Sequence, residues 1–214
     1  RTRISPPRRR KDLIERKHLI QQLSEMVEKR LVLVTAPAGY GKTALLMDYV
    51  NQSSLPVCWY SIDRLDYELS RFISYLAASI QRKFPQFGTQ TYTALSGEQG
   101  KIDGDYIATV IINDILANIS EHFVIILDDY HFVNDSIEIR KFMSRLLMDL
   151  DENCHFLLAS RTLLSLPDLP LLVARSEVEG LSYEELEFRP LEIQNLFLQN
   201  HQLAISKEKA EEIH

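Results

Sequence analysis

The sequence predicts an α/β chain in which a parallel β-sheet is covered by helices on both faces, and three observations predict it. Four runs, Leu31-Val32-Leu33-Val34, Val57-Cys58-Trp59-Tyr60, Phe123 to Leu127 and Phe156-Leu157-Leu158-Ala159, are apolar without alternation. Such runs suit strands buried on both faces. Segments with a 3.6-residue apolar period lie between them. A turn rich in glycine, Ala36 to Thr43, follows the first run directly and opens a helix. Strands alternating with helices imply right-handed crossovers and three layers.

The bulk numbers fit that class. With 214 residues, 45% of them hydrophobic, the chain suits one α/β domain with an appendage. No apolar run approaches the ~18 residues needed to span a bilayer, and the start is basic rather than a secretory leader. These features read as cytoplasmic, with no membrane partner. The net charge of −6 argues against nucleic-acid binding by the domain as a whole. Cys58 and Cys154 sit in or beside apolar runs and read as buried free thiols. No Cys/His cluster has ligand spacing, so no zinc site is inferred. The chain opens on Arg1, which reads as a piece excised from something longer.

Along the chain, residues 1–11 form a basic arm: Arg1, Arg3, Arg8, Arg9, Arg10 and Lys11 meet no acidic neighbour before Asp12. The arm reads as a solvated leader in preference to a phosphate-binding one. An amphipathic helix is expected from Asp12 to Lys29, then the first strand, the glycine turn and a helix from Ala44 to Val50. Leu69, Phe72, Ile73, Leu76, Ala77 and Ile80 trace one helical stripe, and Ile139, Phe142, Met143, Leu146, Leu147 and Leu150 trace another. A helix is expected over Asp105 to Ile119. The stretch from Gln86 to Gly104, with four glycines, reads as loop. After Arg161, Pro167 and Pro170 break the chain, and a last strand is expected near Ala174 to Val178. Pro190 then sits at a helix start ahead of Leu191 to Asn200, and Ser206 can cap a final helix. Residues 12–185 are assigned to the main domain and 186–214 to the start of a helical subdomain.

The chemistry is carried by Ala36-Pro37-Ala38-Gly39-Tyr40-Gly41-Lys42-Thr43. In a strand–loop–helix context, successive backbone N–H groups and the helix N-terminus face phosphate oxygens. Pro37, Ala38, Gly39, Tyr40, Gly41, Lys42, Thr43 and Ala44 are therefore the expected nucleotide-binding residues. Lys42 reaches the outer phosphates and Thr43 places its hydroxyl on Mg²⁺. Ala36 stands where the strict pattern has Gly, which is tolerable if its φ stays negative. The run ending in Asp128-Asp129 supplies the carboxylates. Asp128 is the expected Mg²⁺ partner, through water, and Asp129 the group that orients or deprotonates the attacking water. An Asp-Asp pair at a strand end serves equally as a cap; the upstream loop selects the metal role. Arg161 faces the γ-phosphate if its strand lies between those of the loop and of Asp128; otherwise it is an exposed strand-end Arg. No role is derived for His131 beyond a surface or capping histidine.

These residues, in this order, resemble the nucleotide-binding domain of the MalT-like STAND ATPases of large LuxR-type transcriptional activators. The similarity is specific in "LVLVTAPAGYGKTALL", "VIILDDYHFV" and "HFLLASRTLLSLPDLP", and weaker in "PVCWYSIDRLDYELSRFISYLAASI" and "LEFRPLEIQNLFLQNH". The resemblance implies a sheet order 5-1-4-3-2, with Arg161 as γ-phosphate sensor. It also implies base contacts from Leu13 to Arg16, Ile14 and Arg16 among them. ATP and ADP with Mg²⁺ are the implied ligands, slow hydrolysis the implied activity. The parent protein would self-associate in the ATP state and reach DNA only through a domain outside this chain. Two other readings stay open on the residues alone: a catalytic P-loop enzyme such as a kinase or motor ATPase, and a degenerate module that binds without hydrolysing.

Overall fold

The computed structural model describes residues 3–97 and 102–213; Arg1 of the basic arm and Gly100 of the expected loop lie outside them. The elements run α1 (Lys17–Met26), β1 (Leu31–Thr35), α2 (Lys42–Gln52), β2 (Val57–Ser61), α3 (Leu69–Lys83), α4 (Thr89–Gly97), α5 (Gly104–Asn118), β3 (Phe123–Asp128), α6 (Ile137–Asp149), β4 (Cys154–Ser160), α7 (Leu169–Ala174), β5 (Val178–Leu181), α8 (Tyr183–Leu186), α9 (Pro190–His201) and α10 (Lys207–Ile213). The strands form one five-stranded sheet in the order β2-β3-β4-β1-β5, every pairing parallel. This is the expected order read from the other edge.

Both faces of the sheet are covered, which is why its strands carry no polar alternation. β3 and β4 are buried along their whole lengths. On one face Phe123, Ile125, Phe156 and Leu158 meet the apolar stripes of α3, α5 and α6. On the other Val124, Ile126, Leu157 and Ala159 meet α1 and α2 through Leu23 and Leu46. A fully buried Leu or Ile at these positions contributes about 1.5–3 kcal/mol relative to exposure. Cys58 and Cys154 are free and buried. Among the described residues no helix is long and apolar enough to cross a membrane.

Four expectations change. The basic arm is not a solvated leader: Arg3 pairs with Asp63 and, at 2.6 Å, with Asp66, its carbonyl accepts from Ser61 N at 2.8 Å, and Arg9 pairs with Asp48. The first helix begins at Lys17 rather than Asp12, because side chains of α9 take the preceding carbonyls. Gln199 Nε2 donates to Lys11 O and Asn200 Nδ2 to Asp12 O, both at 2.8 Å. The expected loop holds α4, whose start is fixed from α5: the buried Asp114 carboxylate accepts from Gly88 N, Thr91 N and Thr91 Oγ1 at 2.8–3.1 Å. The last strand is Val178–Leu181, later than expected, since α7 occupies Leu169–Ala174 with a proline in its first turn, where no N–H is needed. Gly180 lies so close to β1 that a Cβ there would sit 2.4 Å from Leu33 O.

Candidate functional site

The loop between β1 and α2 is shaped by two glycines. Gly39 has φ +94° and Gly41 φ +77°, backbone that costs other L-residues roughly 1–2 kcal/mol. Ala36 is not among the positive-φ residues; its N–H bonds to Ser160 O at 3.3 Å, prolonging the β1–β4 ladder. The methyl in place of the pattern's first Gly is accommodated. Pro37, Ala38 and Gly39 are exposed and Tyr40 half-buried. Gly41 is the N-cap of α2, and no side chain caps that helix. Its first N–H groups are therefore not taken by a side-chain cap, which leaves the positive dipole end of the helix available to an anion.

Lys42 is buried, its ammonium donating to Ala36 O at 2.6 Å and Pro37 O at 2.9 Å. Burial pulls its pKa down, while Asp129 and Asp128 oppose that and Arg161 adds to it. Thr43 Oγ1 donates to both carboxylate oxygens of Asp128, at 3.1 and 3.0 Å. Burial, then Asp129, pushes the Asp128 carboxyl up to about 6, against the Thr43 hydrogen bond and Lys42. A buried carboxyl so displaced gains from a cation beside it. The Thr43 hydroxyl and Asp128 carboxylate thus form an all-oxygen donor pair that fits a hard divalent ion such as Mg²⁺.

Asp129 adopts a left-handed conformation, φ +60°, which turns the chain sharply after β3. Such a non-glycine outlier belongs to sites where the surroundings hold it. That turn brings in His131, whose Nδ1 is 3.7 Å from Asp129 Oδ1. Both ring nitrogens are buried without a hydrogen-bond partner. Burial lowers its pKa, Asp129 opposes, and Arg161 and Lys42 lower it further. A surface or capping histidine is therefore the wrong description: His131 belongs to the cluster. The only sequence signal for it was its place two residues beyond Asp129. Arg161 follows β4, which lies between β1 and β3, and its charge is felt at both Lys42 and His131.

The lead-in residues divide. Ile14 and Arg16 line a small cavity of about 50 Å³ together with Gly41, Ala44 and Phe188. Ile14 thus adjoins the helix side of the loop. The Arg16 guanidinium turns instead toward Glu192, Leu186 O and Glu187 O. A second cavity, about 340 Å³, runs from Ala38, Gly39 and Tyr40 to Phe188 and Phe197. A third cavity, about 660 Å³, opens at the opposite end of the sheet around His122 and His155, away from all these residues.

Comparison with known proteins agrees with this geometry. The family model described as "Nephrocystin 3, N-terminal" matches residues 9–161. The HTH-type transcriptional regulator MalT of Yersinia pestis is 32% identical over 198 residues, 92% of this chain and 21% of that protein. MalT of Klebsiella pneumoniae is 30% identical over the same shares. The chain thus spans about a fifth of the length of these relatives. Among solved structures, a Walker-type ATPase of Pyrococcus abyssi aligns with TM-score 0.57 at 16% identity, covering 98% of this chain and 65% of the other. The ORC1 protein of Aeropyrum pernix, solved in complex with DNA, aligns with TM-score 0.55 at 13% identity over 94% and 50%. At those identities the two structures speak for the fold alone. The chain belongs to the nephrocystin 3 N-terminal family, has the P-loop NTPase fold, and resembles a fifth of the MalT regulators.

Proposed function

We propose that this chain binds ATP and ADP with Mg²⁺ at Ala36 to Thr43 and hydrolyses ATP slowly, as the regulatory switch of a signal-responsive transcriptional activator. The observation that carries the reading is the meeting of Thr43 and Asp128 across the β1 and β3 ends, at the mouth of an uncapped helix. In this reading Lys42 exchanges the carbonyls of Ala36 and Pro37 for phosphate oxygens. Thr43, directly, and Asp128, through water, would hold Mg²⁺, which when bound would neutralise charge on those oxygens. Asp129 orients the attacking water and accepts its proton; His131, whose Nδ1 is 3.7 Å from Asp129 Oδ1, helps position it, and Arg161 at the end of β4 registers the γ-phosphate. The γ-phosphate is the differential contact through which ATP and ADP favour different states.

The regulatory part draws on the MalT relatives, which are transcriptional regulators by description. The parent protein self-associates in the ATP state, and DNA is read by a domain outside these residues. Thermal unfolding tests the ligand claim. Ligand about a hundredfold above Kd adds ~2.7 kcal/mol, a rise in Tm of roughly 5–10 °C for a domain this size. Both Mg·ATP and Mg·ADP give such a rise; no shift with either overturns the reading.

A further inference from the structure

Arg16 is 7% exposed and spends its guanidinium within the protein. Nη1 donates to Leu186 O and Nη2 to Glu187 O, each at 2.7 Å. The Glu192 carboxylate accepts from Nε at 2.9 Å and Nη2 at 3.0 Å. The two carbonyls lie at the C-terminal end of α8, where a cation is favoured. Glu192 in turn accepts from Arg189 N at 2.8 Å, capping α9. Arg16 itself starts α1, its carbonyl accepting from Leu19 N at 3.0 Å. One side chain therefore pins the α8–α9 joint to the segment leading into the sheet.

Between those pinned points lies Phe188. The guanidinium carbon of Arg16 stands 4.8 Å from its ring centroid, so the ring is held on one side by a planar cation. Phe188 and Leu196 are walls of both cavities at the loop: the one with Ile14, Gly41 and Ala44, and the one with Ala38, Gly39 and Tyr40. Both cavities adjoin the phosphate loop, through Gly41 and Ala44 in one and Ala38 to Tyr40 in the other, so Phe188 is the aromatic side chain that they share beside it.

We propose that Arg16 is a positioning residue that holds Phe188 as the wall against which the nucleobase packs, so that docking of the α8–α9 segment and base affinity are coupled. The proposal rests on the P-loop reading above and assigns Arg16 a different part from direct base contact. A base on Phe188 strengthens the docked segment, and loosening the clamp weakens the base; the coupling is reciprocal.

The test is calorimetric titration of the whole chain with Mg·ATP, Mg·GTP and, as a baseless probe, magnesium tripolyphosphate. Phe188→Ala removes the wall. Arg16→Lys keeps the charge but lacks the planar fork that grips the Glu192 carboxylate in two places and faces the Phe188 ring. Both variants are expected to bind ATP about tenfold more weakly, on the order of one lost stacking contact. Tripolyphosphate affinity should stay within about twofold of wild type, and the ATP-to-GTP ratio should narrow; a merely structural role would move neither selectively. Unchanged ATP affinity in Phe188→Ala, or parallel loss of ATP and tripolyphosphate, overturns the wall. Weakening in Phe188→Ala with none in Arg16→Lys overturns the part given to Arg16. A wild-type chain that binds no ATP overturns the nucleotide reading instead.

Discussion

At Asp128 a functional group sits against the interest of the fold. Its carboxyl has an ordinary value of 3.8 and is pushed up to about 6 by burial and by Asp129. The folded state thus holds the proton more tightly than the unfolded chain. The contribution favours folding below about pH 4 and is lost as pH climbs through about 6, a swing of roughly 3 kcal/mol. In nucleotide-free protein, Asp128→Asn should therefore raise stability at pH 7.5 by ~1–3 kcal/mol and change it little at pH 4. Urea denaturation at the two pH values checks this; equal effects at both would contradict the account of Asp128. The same variant should lose the Mg²⁺-dependent part of nucleotide binding. Asp129→Asn should bind normally and hydrolyse about a hundredfold more slowly, measured by single-turnover phosphate release. If both variants lose affinity alike, the division between metal donor and base is wrong.

Among the elements, α4 depends on one distant side chain. Asp114, fully buried in α5, accepts from Gly88 N, Thr91 N and Thr91 Oγ1 and also meets Asn118 Nδ2 at 2.9 Å. Removing it leaves buried donors unpaired at about 1–3 kcal/mol apiece. Asp114→Ala should cost roughly 3 kcal/mol in urea denaturation, with faster amide exchange confined at first to residues 88–97. Protection there equal to wild type would show that α4 is held by something else. This is also why α4 was illegible in the sequence: the glycines around it signal loop, and its cap comes from 23 residues away. The strands β1 to β4 were legible because burial on both faces demands unbroken apolar runs. The displaced β5 was not, because its register is set by Gly180 against Leu33 O, a contact with no local pattern. The loop from Ala36 to Thr43 stood out since its backbone requires glycine at fixed places. His131 did not, because only the left-handed turn at Asp129 carries it into the cluster.

For the whole molecule, the sheet order matters more than any single contact. With β4 between β1 and β3, the chain ends that carry Lys42, Thr43, Arg161, Asp128 and Asp129 open on one side of the sheet. The arm and the C-terminal helices then close around the flank of the loop: Arg9 on Asp48, Arg16 on Glu192, and Gln199 on Lys11 O. None of these ties passes through Lys42, whose own bonds go to two loop carbonyls. Its replacement should therefore leave the fold intact while removing the charge that meets the phosphates. The measurement that tests the central claim most directly is calorimetric titration of Mg·ATP into wild-type chain and Lys42→Ala, with thermal unfolding of both. The account predicts saturable binding to the wild type and none, or a loss of at least about a hundredfold, in a variant that unfolds within a few degrees of it. Wild-type affinity in Lys42→Ala, or no heat with either protein, would contradict it.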